Sequence, residues 1–102
     1  AVQERGGVYI IGVDSDWTQT SHEFTDITLT SVLKKMDVTT MESIKMTQDG
    51  TFAGGVVVGT LENTGVDLAP FHELDSMVSA DLKAELETLR AGIIDGSIQT
   101  SP

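Results

Sequence analysis

The sequence predicts an α/β fold with a mainly parallel sheet, on three observations. Residues 8–13 and 54–61 contain apolar, β-branched runs without polar alternation, the pattern of strands buried on both faces. Leu82, Leu86, Leu89 and Ile93 fall at i, i+4, i+7 and i+11, which makes one apolar stripe on a helix. Strand-like and helix-like segments alternate along the chain, as they do in α/β folds.

The elements follow in order. The first strand, Val8-Tyr9-Ile10-Ile11-Gly12-Val13, stops abruptly at Asp14-Ser15-Asp16. Residues 17–26 are polar, rich in Thr and Ser, and read as a loop. Residues 27–33 return to extended character, with β-branched residues at most positions. Asp37 has the chemistry of an N-cap, with Val38, Met41 and Ile44 on one helical face and Asp49-Gly50 as the stop. Residues 54–61 form the second buried-type strand, closed by a turn around Glu62-Asn63-Thr64-Gly65. Residues 80–95 give the clearest helix, with Ser79 as N-cap, Asp81 at the positive end of the dipole and Gly96 as terminator. Gly92 inside it costs about 1 kcal/mol against Ala, which points to close packing there. So few strands and helices make a thin sheet, and a parallel sheet needs helices on both faces. Either a fragment or an oligomer is expected.

With 102 residues and 10.9 kDa there is room for one small domain. Lys and Arg number 6 against 16 Asp and Glu, a net charge of -10. That argues against a nucleic-acid binder or a polybasic membrane-surface protein, both of which need clustered cations. The absence of Cys excludes disulfides, thiolate metal sites and cysteine nucleophiles. The longest apolar runs are only a few residues, too short to span a bilayer. These residues open with no charged start and apolar h-region, so no signal peptide is expected within them.

Asp14 and Asp16 form the best-placed polar cluster, because ligands of open α/β sheets bind beyond the carboxyl ends of strands. Two carboxylates at this spacing suit a divalent cation or sugar hydroxyls, and Asp and Ser are equally ordinary turn residues. Lys34 and Lys35 either balance nearby carboxylates or aim one ammonium at a ligand. His22 and His72 stand fifty residues apart without a third ligand and read as surface histidines. The pairs Gly6-Gly7 and Gly54-Gly55 lack a phosphate-loop pattern and read as turns. No elbow motif surrounds Ser15, Ser21 or Ser31, and Trp17 is expected to pack at the core or its rim.

Four segments then carry a resemblance to one family. Val8-Tyr9-Ile10-Ile11-Gly12-Val13-Asp14-Ser15-Asp16 resembles the VYVIGVDSDQ strand-end signature of the BMP family of basic membrane lipoproteins. Leu29-Thr30-Ser31-Val32-Leu33-Lys34-Lys35-Met36-Asp37-Val38 is similar to its LTSVVKNVDV segment. Residues 54–61 with 65–71 resemble GGVVVLGLKDGGVGLAPF, and 93–98 resemble the closing IISGEI. The segments run in the family's order over nearly the whole chain.

The resemblance implies the two-lobed type I periplasmic-binding-protein fold, of which residues 1–102 would be a C-terminal fragment. It implies an extracytoplasmic, lipid-anchored, non-enzymatic component of an ABC transporter that binds purine nucleosides and docks on a permease. The family holds the ribose with an aspartate after the strand and a lysine from the following segment. These match Asp14 and Lys34, with Asp16 as a further participant. No metal or cofactor is implied, and the isolated residues are expected to form a homo-oligomer. Trp17 stands where the family has Gln and Asp67 where Gly is common. The alternatives are a metal-dependent nucleotide-sugar transferase using Asp14 and Asp16, or a sensor built on the same binding fold.

Overall fold

The computed structural model describes residues 1–100. Its elements are helix α1 (Val2–Arg5), strand β1 (Ile10–Asp14), helix α2 (Trp17–Thr20), a 3-10 turn (His22–Phe24), strand β2 (Thr28–Lys34), helix α3 (Met36–Gln48), strand β3 (Val66–Leu68), a second 3-10 turn (His72–Met77) and helix α4 (Ala80–Ile94). The α/β class therefore holds.

The sheet is mixed rather than mainly parallel. Its order is β1-β2-β3, with β1 parallel to β2 and β3 antiparallel to β2. Ile11 stands opposite Thr30 and Asp14 opposite Leu33, while Val32 faces Leu68 and Lys34 faces Val66. The sequence places the second buried strand within 54–61, yet these residues join no sheet. The Asn63 side chain draws 58–60 into a turn: its Nδ2 donates to the Val58 carbonyl at 2.9 Å, and its Oδ1 accepts from Thr60 N at 2.8 Å. Val56, Val57 and Val58 stay exposed, Val56 at 90%. The strand that forms instead starts just beyond that turn.

The 17–26 loop is also partly ordered, into α2 and the first 3-10 turn. Asp16 caps α2 by accepting from Thr18 N. Helix α3 begins one residue before the expected cap: Lys35 occupies that position without a side-chain hydrogen bond, and Asp37 sits in the first turn. Ser79 caps α4 as its chemistry predicts, accepting from Leu82 N. Gly92 is buried because Ile98 folds back against it, leaving 2.7 Å between its methyl carbon and where a Cβ would stand.

What lies inside is largely polar. Thr28, Thr30 and Ser31 of β2 are buried, whereas the buried apolar residues are Ala69 and Val78. The hydroxyls are satisfied locally: Thr28 donates to the Phe24 carbonyl at 2.8 Å, Thr30 donates to the Ala69 carbonyl at 2.6 Å, and Ser31 Oγ accepts from Trp17 N at 3.1 Å. Met41, Ile44, Leu82 and Leu89 are exposed, so the apolar faces of α3 and α4 find little cover. The dimensions agree. The radius of gyration is 16.7 Å, where a compact domain of this length has about 13 Å. The accessible surface is 7360 Å², against about 5,600 Å² for a folded monomer of this mass.

Candidate functional site

Asp14 ends β1 and Lys34 ends β2, so both stand at the carboxyl edge of the parallel pair. Lys34 Nζ lies 2.7 Å from Asp14 Oδ1. Asp14 holds φ +76°, a left-handed conformation that Asp tolerates better than most side chains and that ends β1 in a sharp turn. The two side chains are 59% and 64% exposed, so water and salt screen the pair and its contribution to stability is small, in the range of about 0–1 kcal/mol. An ion pair this open costs little to separate. Its carboxylate accepts and its ammonium donates, a combination suited to hydroxyl groups that do both.

Asp16 is engaged differently. Its side chain is 11% exposed and its oxygens are taken by protein donors. Oδ1 accepts from Thr18 N at 3.1 Å and from Thr18 Oγ1 at 2.7 Å. Oδ2 is 2.8 Å from His72 Nε2 and 3.4 Å from Gln19 Nε2. Burial opposes ionisation of Asp16, but the hydrogen bonds from Thr18 and His72 outweigh it and hold the carboxyl below its ordinary value. Asp14 and Asp16 thus take different partners: one faces Lys34 in the open, and the other secures α2 and the second 3-10 turn.

Trp17 follows Asp16 and packs on β1, where a Cβ on Gly12 would come within 2.6 Å of its Cγ. Its indole Nε1 donates to the Val13 carbonyl at 3.1 Å. The expected rim packing is what the structure has, with a hydrogen bond to the strand end added. Asp67 pairs with Arg90 and so ties β3 to α4. Burial works against its ionisation, the Arg90 guanidinium more than offsets this, and the carboxyl lies below its ordinary value. Lys35 does not join the Asp14 pair and instead caps the backbone start of α3.

His72 is exposed, as its polar surroundings in the sequence lead one to expect, but its bond to Asp16 is not legible there. No spacing rule could have found it, because its partner is 56 residues away and the contact depends on the turn after β3. His72 has φ +44°, the one local trace of its special placement. A groove of about 590 Å³ also opens between α4 and the segment from β3 to Phe71, with Leu61, Leu68, Phe71, Leu86, Leu89 and Ile93 in its walls. Neither Asp14 nor Lys34 lines it.

No protein-family model matches the chain. Two curated proteins are similar to it, each carrying the name CD4+ T-cell-stimulating antigen. The protein of Listeria innocua is 32% identical over 99 residues, and that of Listeria monocytogenes is 31% identical over 99 residues. Each alignment takes in 90% of this chain and 27% of the relative. The chain thus spans about a quarter of the length of these relatives.

Proposed function

We propose that this chain is the C-terminal portion of an extracytoplasmic, lipid-anchored solute-binding component of an ABC transporter, and that the parent protein binds a purine nucleoside. The observation that carries this reading is the Asp14–Lys34 pair, 2.7 Å apart at the carboxyl edge of the parallel strands. A carboxylate and an ammonium side by side can bracket vicinal ribose hydroxyls, each hydroxyl donating to Asp14 and accepting from Lys34. The sequence resemblance to the BMP family supports the ribose assignment, since the two residues match its ribose-holding positions. The extended shape and uncovered apolar faces support the fragment reading, because they leave surface for the rest of a two-lobed chain.

Asp16 supports the site from behind in this reading, with its oxygens already occupied. Calorimetry on the full-length protein with adenosine, guanosine and inosine tests the proposal. Asp14→Ala is expected to weaken binding by about 1.5–3 kcal/mol, the worth of a hydrogen bond to a charged group. Failure of every purine nucleoside to bind, or equal affinity in the variant, overturns the assignment.

A further inference from the structure

We propose that His72 positions the Asp14–Lys34 site, acting through Asp16 and Trp17 on the peptide that leads into Asp14. The inference rests on the nucleoside-binding reading for its consequence, but its structural link stands on contacts independent of any ligand.

The link runs through hydrogen bonds and one covalent step, from Thr18 to Trp17. His72 opens the second 3-10 turn with a left-handed φ of +44°, and its Nε2 meets Asp16 Oδ2 at 2.8 Å. The other Asp16 oxygen holds Thr18 through both backbone N and hydroxyl. That fixes the start of α2, whose first residue is Trp17. Trp17 N is anchored on Ser31 Oγ at 3.1 Å, and Ser31 is fully buried in β2. The Trp17 indole then donates to the Val13 carbonyl at 3.1 Å. That carbonyl belongs to the Val13–Asp14 peptide plane, and the tilt of this plane is the φ of Asp14, +76°.

The geometry has a functional consequence. Lys34 is carried by regular β2, whereas Asp14 sits on a turn whose conformation only Gly adopts freely. Something must hold the turn if its carboxylate is to stay opposite Lys34. Asp16 lies two residues on and is the fixed point of that turn. His72→Ala removes the only donor that reaches the Asp16 carboxylate from outside residues 16–19 among the described residues. The donor that matters is at Nε2, so its position and not ring chemistry defines the requirement.

The test uses the full-length protein with labelled tryptophan. The Trp17 indole N–H resonance is assigned by its loss in Trp17→Phe. His72→Ala is expected to shift that resonance and to raise the nucleoside Kd about 3- to 10-fold, the range for one lost hydrogen bond. His72→Gln places an amide N–H where Nε2 stands and is expected to restore both readings, whereas His72→Asn reaches only the Nδ1 position and is not. If His72→Ala fails to fold, the Gln and Asn variants decide by the same two readings. An unmoved indole in both the Ala and Asn variants overturns the proposal, and so does a loss of affinity in Gln equal to that in Asn. A moved indole in a protein that binds no nucleoside leaves the positioning link in place and removes the ligand reading instead.

Discussion

In the strand-end region of this chain the polar groups find partners, although Ile11, Val13 and Val32 there are exposed, whereas the helical C-terminal region leaves its apolar groups without cover. Around β1, α2 and β2, hydroxyls and a carboxylate lie inside, and each finds a partner within the chain. Around 56–58 and α4, apolar side chains lie outside, with Val56, Leu82 and Leu89 open to water. Hydrogen bonds saturate: once Thr30 has the Ala69 carbonyl and Asp16 has Thr18 and His72, nothing more is required. Apolar burial does not saturate locally, because its gain grows with the area covered. A short chain can therefore complete a polar strand-end site while leaving its helices half dressed.

The largest expected effect comes from the uncovered side. Leucine-sized side chains left in water forgo roughly 1.5–3 kcal/mol each, and several together exceed the apolar patch that monomers usually carry. Strands β1 and β3 are also edges of the sheet. The 102 residues alone are expected to associate at micromolar concentration by light scattering, and Val57→Asp combined with Leu89→Asp should move them towards monomer. A stable monomer with a cooperative melt would break the comparison. On the polar side, Gly12→Ala puts a Cβ 2.4 Å from Ser31 Oγ and 2.6 Å from Trp17 Cγ, and neither neighbour is free to move. It should cost towards the upper end of roughly 1–3 kcal/mol in urea unfolding. Gly54→Ala meets nothing within 4 Å and should stay within about 0.5 kcal/mol of zero.

The same contrast explains what the sequence could show. The period of Leu82, Leu86, Leu89 and Ile93 and the Ser79 cap are local signals, and α4 forms where they place it. Asp14 stands out as a candidate because an acidic turn closes an apolar run, Lys34 and Lys35 stand out together as cations for a carboxylate or a ligand, and only the family resemblance selects Lys34. Residues 54–61 misled because their composition reports an environment: three consecutive valines describe a strand with neighbours on both sides, and these residues have none among the described ones. Strand β3 was invisible for a related reason. Three residues carry no period, and Val66-Asp67-Leu68 pairs with β2 through backbone alone. His72 needed the tertiary structure, since its partner lies on a different element.

A middle-sized effect should come from acid. Asp16 and Asp67 both hold their protons less tightly when folded than at the ordinary value of 3.8. A lowered folded value means the unfolded chain binds the proton first, so acidification favours unfolding. Their contribution is thus complete above about pH 3.8 and fades as pH falls through the lower folded values. Urea midpoints measured downward from pH 6 should fall less steeply in Asp16→Ala, after a loss of about 1–2 kcal/mol at pH 6 from the missing cap. Parallel pH curves for the variant and the natural chain would show that Asp16 carries no such linkage.

A smaller effect probes a place where a polar contact reaches into the apolar half. Arg90 pairs with Asp67, and that hydrogen bond, with the carboxylate charge beside it, holds the guanidinium's pKa above its ordinary value. Both side chains keep some exposure, 31% for Arg90 and 27% for Asp67, so solvent screens the attraction. A double-mutant cycle with Asp67→Ala and Arg90→Ala should give a coupling of about 0.5–1 kcal/mol, smaller at 1 M salt, where the screening length is about 3 Å. The contact joins β3 to α4 in a region that otherwise lacks apolar cover, so its worth depends on how well that helix is seated. In the isolated residues α4 is held weakly, and the coupling should sit at the lower end of the range. In a longer parent of the kind proposed above, cover over the helix face would keep water from the pair and the coupling should rise. Equal values in both would mean that α4 is seated as firmly without the remaining chain as with it, and the polar and apolar regions would then differ in composition but not in completeness.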